Sequence, residues 1–289
     1  MDKVSRSFGT HSGSFHADEV TACALMLFFD LIDRDKIRRT RDPEVLASCE
    51  FVCDVGGVYD PSKKLFDHHQ VEYQGMLSSA GMVLRYLKEE KYLSEKLFNF
   101  FELSLMKGVD AIDNGFDPHI EGLCTFSQVI NNFNPVRHQA PHEEQNRCFF
   151  EALDFALGHL SRLKERFDYI ESCRADVAER MRPRDKVLIF DKSLPWQELF
   201  FDMGGEEHPA LFVVMPSGDH WKLRGIPPSM ADRMAVRLPL PEEWAGLHDE
   251  DLQKASGIKG AIFCHKGRFI SVWETREDAL KALGVILNE

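Results

Sequence analysis

The sequence predicts a two-domain α/β protein, with a parallel sheet in the first domain and a mixed sheet in the second. Its 289 residues exceed the roughly 250 at which a single hydrophobic core usually stops growing. Apolar strand segments alternate with helical stretches in the first half, and strands predominate in the second. We expect residues 1–182 to form the first domain, including helices from about residue 143, and residues 183–289 to form a smaller second domain.

Composition and charge are those of a soluble globular protein. No apolar run approaches the roughly 20 residues that span a bilayer, and the N-terminus lacks a signal-peptide stretch, so we expect a cytoplasmic protein without membrane contact. The seven scattered cysteines indicate reduced thiols. A net charge of −12 argues against a protein that coats polyanions, with a locally basic groove as the alternative. The densest basic run, residues 34–41, is predicted to be a solvated connection between a helix and a strand.

Residues 9–19, GTHSGSFHADE, combine small flexible residues with two histidines and a carboxylate. His11, His16 and Asp18 have little structural reason to occur so closely around glycine, so the segment is predicted to be a metal-binding loop. Asp18 opens an apolar stretch, residues 20–32, that is long enough for a buried helix. The alternative role for Asp18 is to favour the helix dipole.

Asp54 lies near the end of an apolar strand segment that begins at residue 51 and is followed by two glycines. A carboxylate is almost never buried in such a strand without a partner. A bound cation would be one partner, and the glycines would let the backbone approach the site closely. An ion pair with arginine is the alternative.

Residues 64–69, KLFDHH, are predicted to form a short strand that presents Asp67, His68 and His69 at its tip. Many α/β enzymes keep their chemistry at strand tips. Neighbours on an extended chain point to opposite sides, so one histidine could bind a metal while the other faces a substrate. A surface turn with two solvated histidines is the alternative.

A helix is predicted from residues 78–81 through residue 88, and its first amides would form either an anion site or an ordinary serine N-cap. A later apolar stretch, residues 97–106, leads into a second helical segment. There Asp110 and Asp113 are three residues apart on one helix face. Either of them could complete a metal site.

Together these segments supply imidazoles and carboxylates for a metal centre. The inventory suits two divalent transition cations that share a bridging carboxylate. Mixed nitrogen and oxygen ligands favour Mn²⁺ over Zn²⁺, with Mg²⁺ as an alternative. The candidate ligands are His11, His16, Asp18, Asp54, His68 and one of Asp110 or Asp113.

The chain resembles the DHH phosphoesterase superfamily and, more closely, the melanocyte proliferating gene family of DHH-type exonucleases. The resemblance covers nearly the whole chain. It rests on GTH (9–11), FHADE (15–19), DVGG (54–57), FDHHQ (66–70), SSAG (78–81), VDAIDNG (109–115), LPLPEEW (238–244), GL (246–247), DEDL (249–252), GI (257–258) and IFCH (262–265).

The resemblance implies a role for each matching residue. It implies that His69 contacts the substrate phosphate and that Asp67 supports the ligands without binding metal. The superfamily usually has two aspartates where this chain has His16 and Asp18, which leaves the metal pair more positive, and the narrower family carries the same histidine. The implied metal ligands are His11, His16, Asp18, the bridging Asp54, His68 and Asp113.

Residues 143–182 carry apolar residues at helical spacing and are predicted to form one or two helices that link the domains. The resemblance implies that the second domain closes over the metal site, which places the active site in the cleft between them. Arg224, Arg237 and His265 could hold phosphate or sugar there, with a solvated surface role as the alternative. Strands are predicted at residues 186–190, 210–215, 221–226, 261–264 and 269–272, followed by a helix at 276–287.

The residues and the resemblance together predict a phosphodiesterase that uses two divalent cations and acts as an exonuclease on RNA or single-stranded DNA. One alternative is a hydrolase of a small phosphorylated molecule, such as pyrophosphate, a cyclic dinucleotide or a very short oligonucleotide, which the net charge fits better. Another is a non-catalytic, metal-stabilised binding protein. Such a protein would need neither an open coordination position nor His69.

Overall fold

The computed structural model describes residues 3–116, 120–137, 139–232 and 235–287. The chain forms two compact units, Met1–Phe167 and Asp168–Glu289, each built on a five-stranded sheet. The predicted α/β class, with one mainly parallel and one mixed sheet, is confirmed. The predicted boundary at residue 182 falls within the second unit, and the extent of the independently folding domains stays a prediction.

The first unit holds five strands and most of the helices. Its strands are β1 (Val4–Thr10), β2 (Ile37–Arg39), β3 (Cys49–Cys53), β4 (Tyr59–Asp60) and β5 (Leu65–Phe66). Its helices are α1 (Ala17–Phe28), α2 (Pro43–Ser48), α3 (Ser79–Glu89), α4 (Glu95–Phe101), α5 (Lys107–Asp113), α6 (Phe126–Asn131) and α7 (His142–Ser172), the last of which runs into the second unit. A π-helical segment, Glu102–Met106, joins α4 to α5.

The first sheet has the order β2-β1-β3-β5-β4, and its neighbours are parallel except for β4, which is antiparallel to β5. Thr10, Cys53 and Phe66 end three adjacent parallel strands, β1, β3 and β5. Because parallel strands end at the same edge of a sheet, the residues that follow these three positions meet there.

A buried core fixes the three strands relative to one another. Phe8 on β1, Phe51 on β3 and Phe66 on β5 are fully buried. Burial of each phenylalanine contributes roughly 1.5–3 kcal/mol. Phe8 and Phe51 are also register partners across the β1–β3 pair. The strand ends therefore have little freedom to move apart.

The basic run at residues 34–41 is not only a connection. It contains the edge strand β2, which pairs with β1 through Phe8 and Ile37. The strand forms because Ile37 is buried and supplies an inward apolar side chain among the basic residues. The sequence prediction for this run was wrong on that point.

The second unit is built on strands β6 (Val187–Ile189), β7 (Phe212–Ser217), β8 (His220–Gly225), β9 (Ala261–Cys264) and β10 (Ile270–Trp273), with helices α8 (Arg174–Met181), α9 (Trp196–Asp202), α10 (Asp249–Ser256) and α11 (Arg276–Leu287). The sheet order is β6-β7-β8-β10-β9, and only β6 and β7 are parallel. Its core contains the fully buried pair Trp244 and Trp273, whose ring centroids are 5.6 Å apart.

The five strands and the last helix predicted for this half are present. The short helices α9 and α10 were not predicted, because seven or eight residues give too few turns for a periodic apolar pattern. Across the four described ranges, we find no helix that combines the length and the apolarity needed to cross a membrane.

Candidate metal centre

Three strand ends and two helix ends position the candidate ligands. β1 continues into His11, β3 into Asp54, and β5 into residues 67–69. His16 is the N-cap of α1, and the first turn of that helix adds Asp18. Asp113 is the last residue of α5.

Asp54 has imidazoles on two sides, one on the side of Oδ2 and two on the side of Oδ1. Its Oδ2 is 3.2 Å from His11 Nε2, while its Oδ1 is 3.5 Å from His68 Nε2 and 3.3 Å from His69 Nδ1. The Asp54 side chain is almost completely buried. One oxygen facing each group is the arrangement that a carboxylate shared by two cations requires.

The backbone of Asp54 is in the left-handed region, with φ at +58°. Few residues other than glycine adopt this conformation, and aspartate and asparagine tolerate it best. Two hydrogen bonds hold the turn, since the Asp54 amide donates to the Phe66 carbonyl and the Gly57 amide donates to Asp67 Oδ2. Asp54 is thus placed by the sheet and by the segment that follows β5.

Side chains form three groups that could each hold a cation. Within each group, the possible ligand atoms all lie within 4.8 Å of one another. Together the groups include the six ligands that the resemblance implies, together with Glu19 and His69, but not the alternative ligand Asp110. The groups are His11, His16, Glu19 and Asp54; then Asp54, His68 and His69; then His16, Asp18 and Asp113.

Buried atoms without partners fit the same interpretation. Neither oxygen of Asp18 has a hydrogen-bond partner among the described residues. His68 Nε2 lies 3.0 Å from Asp113 Oδ2 but is not aligned to form a hydrogen bond with it. A buried polar group without a partner costs free energy, and a charged one costs more. The donor set fits divalent cations, which would supply the missing partners.

The negative charges of the carboxylates in the site repel one another. Burial raises the pKa of Asp18 well above its ordinary value, and the charges of Glu19, Asp54 and Asp113 raise it further. Burial would also raise the pKa of Asp54, but contacts with His11 and His68 outweigh burial and lower it. The site concentrates negative charge that protons or cations must offset.

The pKa values of His11, which is buried, and His68, which is partly buried, shift in the direction that favours the charged form. Burial would lower the pKa of His11, but contacts with Asp54 and Glu19 outweigh it and raise the pKa to about 10. Contacts with Asp113 and then Asp54 raise the pKa of His68 to about 10 against the effect of burial. In the metal-free protein both imidazoles are therefore protonated at neutral pH.

Asp110 and Asp113 have different surroundings. The Ser78 amide and hydroxyl donate to Asp110 Oδ1 at 3.0 and 2.7 Å, so Asp110 caps the start of α3. A Cβ atom on Gly81 would lie 2.4 Å from Asp110 Oδ2, so the glycine leaves room for the carboxylate. Burial raises the pKa of Asp110 to about 6, although the bonds from Ser78 oppose this. A protein carboxylate thus occupies the proposed anion site of α3, and Asp113 is the aspartate beside His68.

Asp67 and His69 form a hydrogen-bonded pair. Asp67 Oδ1 accepts from the His69 amide at 3.1 Å and lies 2.9 Å from His69 Nδ1. The rings of His68 and His69 lie side by side with centroids 4.3 Å apart, because β5 ends at Phe66 and its side-chain alternation does not extend to them. Their exposure differs nevertheless, since the His68 side chain is 9% exposed and the His69 side chain 64%.

Glu19 was missed by sequence reasoning. It is completely buried, and its carboxylate accepts from the His16 amide at 2.9 and 3.0 Å and lies 3.0 Å from His11 Nε2. The available signal was the acidic residue three positions after the N-cap, which completes a capping box at His16. One carboxylate therefore positions both histidines of the first loop.

The three predicted substrate contacts lie in the second unit. Arg237 donates to the backbone carbonyls of Gly205, Ala210 and Pro227 at 2.6, 2.9 and 3.2 Å, which favours a structural role. Arg224 and His265 lie around Phe269, with the guanidinium 5.9 Å and the imidazole 4.4 Å from its ring centroid. Arg224 Nε is buried and has no hydrogen-bond partner in the described part of the chain. Substrate binding by these residues stays a prediction.

Fold and site together define an α/β protein with a cluster of histidines and carboxylates that could hold cations, at the carboxyl edge of a mainly parallel sheet. A family model described as an uncharacterised protein family (UPF0160), labelled MYG1_exonuc, matches residues 7–284. The chain belongs to this MYG1 family, and the narrower resemblance found in the sequence is confirmed.

Individual relatives agree with this assignment. The MYG1 protein of Chlamydia pneumoniae is 52% identical over 287 residues, which cover 99% of this chain and 98% of that protein. The human MYG1 exonuclease is 32% identical and covers 94% of this chain and 83% of its own length. The crystal structure of RecJ with Mn²⁺ from Thermus thermophilus covers 98% of this chain and 52% of its own, at 11% identity and a TM-score of 0.30. That TM-score is too low to support an argument about fold or function.

Replacement of Glu19 by glutamine should weaken Mn²⁺ binding about tenfold, the lower end of the usual cost of removing a group that orients metal ligands. Glutamine keeps the size of the side chain but removes the charge opposite His11. Isothermal titration calorimetry would measure the affinity. Glu50→Gln is a matched control, because Glu50 also accepts a backbone amide and pairs with a cation, Lys64, but near the amino end of β3. Equal affinities in both variants would exclude the positioning role of Glu19.

Cation binding should release protons, because a ligating imidazole must be neutral and both His11 and His68 are protonated when metal-free. The apparent Mn²⁺ affinity should then rise with pH from 6 toward about 10, where the raised pKa values lie. Calorimetry in buffers of different ionisation enthalpy counts the protons released. A count of zero at pH 7 would contradict this assignment of charge.

Proposed function

We propose that the chain is a metal-dependent nuclease, a phosphodiesterase that uses two divalent cations to hydrolyse RNA or single-stranded DNA from an end. The observation that carries the proposal is the position of Asp54, with one carboxylate oxygen toward His11 and the other toward His68 and His69. Relatives named MYG1 exonuclease in rat and human, at 33% and 32% identity, support the reaction class.

The residues that would hold the cations are those that converge around Asp54. His11 and His16, which Glu19 positions, would serve one cation, and His68, Asp18 and Asp113 the other, with Asp54 shared. Mixed nitrogen and oxygen donors suit Mn²⁺, with Mg²⁺ as the alternative. Bound cations would supply activation of water and neutralise charge that develops on the phosphate.

His69 is suited to contact the scissile phosphate. Its exposed ring lines a cavity of about 400 Å³ that also borders Asp54 and Asp113. The Asp67 carboxylate faces Nδ1, so that nitrogen carries a hydrogen and the ring orientation is fixed. Nε2 is then the atom that can exchange a hydrogen bond or a proton with a phosphate oxygen.

The charge of the cavity favours a chain end or a short oligonucleotide over a long polyanion. No lysine or arginine is among the described residues that line it. Long nucleic acids are held by clustered cationic side chains along their phosphates. The cavity wall therefore fits one terminal unit, and the phosphate affinity at this point would come from the bound cations.

We propose that residues of the second unit also bind the substrate. Arg224 and His265 flank the half-buried Phe269, so a guanidinium and an imidazole lie beside an aromatic ring. Such a combination suits single-stranded nucleic acid, since bases stack on aromatic rings while cations hold the backbone. Arg237 is left out of this proposal because carbonyl oxygens already accept its hydrogen bonds.

Asp54→Asn should lower the rate of hydrolysis at least about 100-fold, because cations supply several kcal/mol of transition-state stabilisation. The variant should remain folded, since asparagine tolerates the positive φ of this position. End-labelled RNA and DNA oligonucleotides, a cyclic dinucleotide and pyrophosphate, each with Mn²⁺, form the substrate panel. Circular dichroism verifies the fold, and Asp60→Asn, on the same sheet, is the control.

The substrates that the protein hydrolyses in this panel distinguish the three functional hypotheses. Shortening of labelled oligonucleotides by the wild type but not by Asp54→Asn supports the exonuclease. Hydrolysis confined to pyrophosphate or the cyclic dinucleotide would replace it with the small-molecule hydrolase. Cation binding without hydrolysis of any substrate would leave the metal-stabilised binding protein.

His68→Ala should weaken Mn²⁺ binding more than His69→Ala does, because the His68 side chain is 9% exposed and lies beside Asp54 and Asp113, whereas the His69 side chain is 64% exposed. His69→Ala should instead reduce kcat/KM for oligonucleotides while most of the cation affinity remains. Calorimetric titration and steady-state kinetics on both variants measure the two effects. Equal losses of Mn²⁺ affinity would show that both rings are ligands.

A further inference from the structure

The cavity beside the candidate metal centre has a wall that takes no part in cation binding. One side is formed by His16, Asp54, His69 and Asp113. The rest is formed by Ala17, at the start of α1, and by other side chains of α5 and α6. The volume of about 400 Å³ lies within the range of small-ligand pockets and exceeds what a phosphate group alone would fill.

This second wall combines an apolar surface with neutral polar groups. Val109 and Ile112 on α5 contribute the apolar part. Ser127, Gln128 and Asn131 on α6 contribute a hydroxyl and two amides. Residues three and four apart share a helix face, so α6 presents these three groups together.

We infer that this α5–α6 wall binds the nucleoside of the terminal nucleotide, with its base or sugar hydrogen-bonded to the amides of α6. The inference rests on the proposed nuclease function and specifies the part of the substrate that the cavity recognises. Neutral amides and hydroxyls pair with base edges and sugar hydroxyls, whereas a phosphate would call for cationic donors. A small inorganic substrate such as pyrophosphate would leave this wall unused.

The amides of α6 retain hydrogen-bonding capacity for a ligand. Gln128 Oε1 accepts from the Thr125 amide, and that bond does not use the hydrogen atoms of its Nε2. Among the described residues, Asn131 Oδ1 accepts a single long bond of 3.3 Å, from Asn134 Nδ2. The stronger bond of Asn134 Nδ2, at 2.7 Å, goes to the Phe15 carbonyl. Replacement of Asn131 therefore leaves the contact between Asn134 and Phe15 in place.

The test compares Asn131→Leu with Asn132→Leu, since Asn132 is its neighbour at the same helix end and is also exposed but does not line the cavity. Equilibrium titration with adenosine and uridine monophosphates measures binding without turnover. Kinetics on an end-labelled oligonucleotide and on methyl 4-nitrophenyl phosphate, which has no nucleoside, measure the effect on catalysis. Mn²⁺ titration shows whether the metal centre is intact.

Asn131→Leu removes the hydrogen bonds between this side-chain amide and the nucleoside. The change should weaken nucleotide binding and raise the oligonucleotide KM about tenfold. The kinetics of methyl 4-nitrophenyl phosphate and the Mn²⁺ affinity should not change, and Asn132→Leu should match the wild type. Ser127→Ala, a smaller change on the same face, should show a weaker defect of the same kind.

Unchanged nucleotide affinity in Asn131→Leu, or no mononucleotide binding by the wild type, would overturn the assignment of this wall. Failure of the proposed function has a different signature. In that case the wild type would hydrolyse neither the oligonucleotide nor the small diester, whatever the binding titrations show.

Discussion

The contact of one buried carboxylate with imidazoles on two sides is the interaction on which the site depends. Asp54 follows the middle strand of three, so its side chain can reach the ends of both neighbours, which lie about 4.8 Å away on either side. His11 follows one neighbouring strand and His68 follows the other. The left-handed turn at Asp54 ends the strand at this point. The register of the sheet therefore determines the geometry of the metal centre.

The electrostatics of the centre follow from the same convergence. Asp18, Glu19, Asp54 and Asp113 bring four carboxylates into one region, and the first three are almost fully buried. Two divalent cations would balance this formal charge of −4. Without metal, protons on the imidazoles and a raised pKa at Asp18 offset part of it. Bound cations would thus give a protein of net charge −12 a local attraction for phosphate at this site.

The sequence predicted those features whose residues lie within one short segment, and it did not predict features that depend on contacts between distant segments. The α/β class followed from alternating patterns, and His11, His16 and Asp18 stood out because one loop holds them together. The residue pattern alone could not separate Asp110 from Asp113, because both lie on one face of one helix. The difference in their surroundings depends on Ser78, the N-cap of α3, which donates to Asp110. That contact spans 32 residues and leaves no pattern in either segment.

Two further features show where residue type alone is ambiguous. The guanidinium of Arg237 has donors that suit phosphate, and the prolines after it restrict the backbone, but the same donors suit a cluster of carbonyl oxygens. The short helix α6 gave no signal at all, because serine, glutamine and asparagine are common on helix surfaces. The polar face of α6 indicates a role in ligand binding because it lines the cavity, which the sequence does not reveal. Under the proposed function, the residues around Asp54 would hold the cations and the neutral residues of α6 would contact the nucleoside. Substrate choice could then change through α6 while the ligands around Asp54 stay the same.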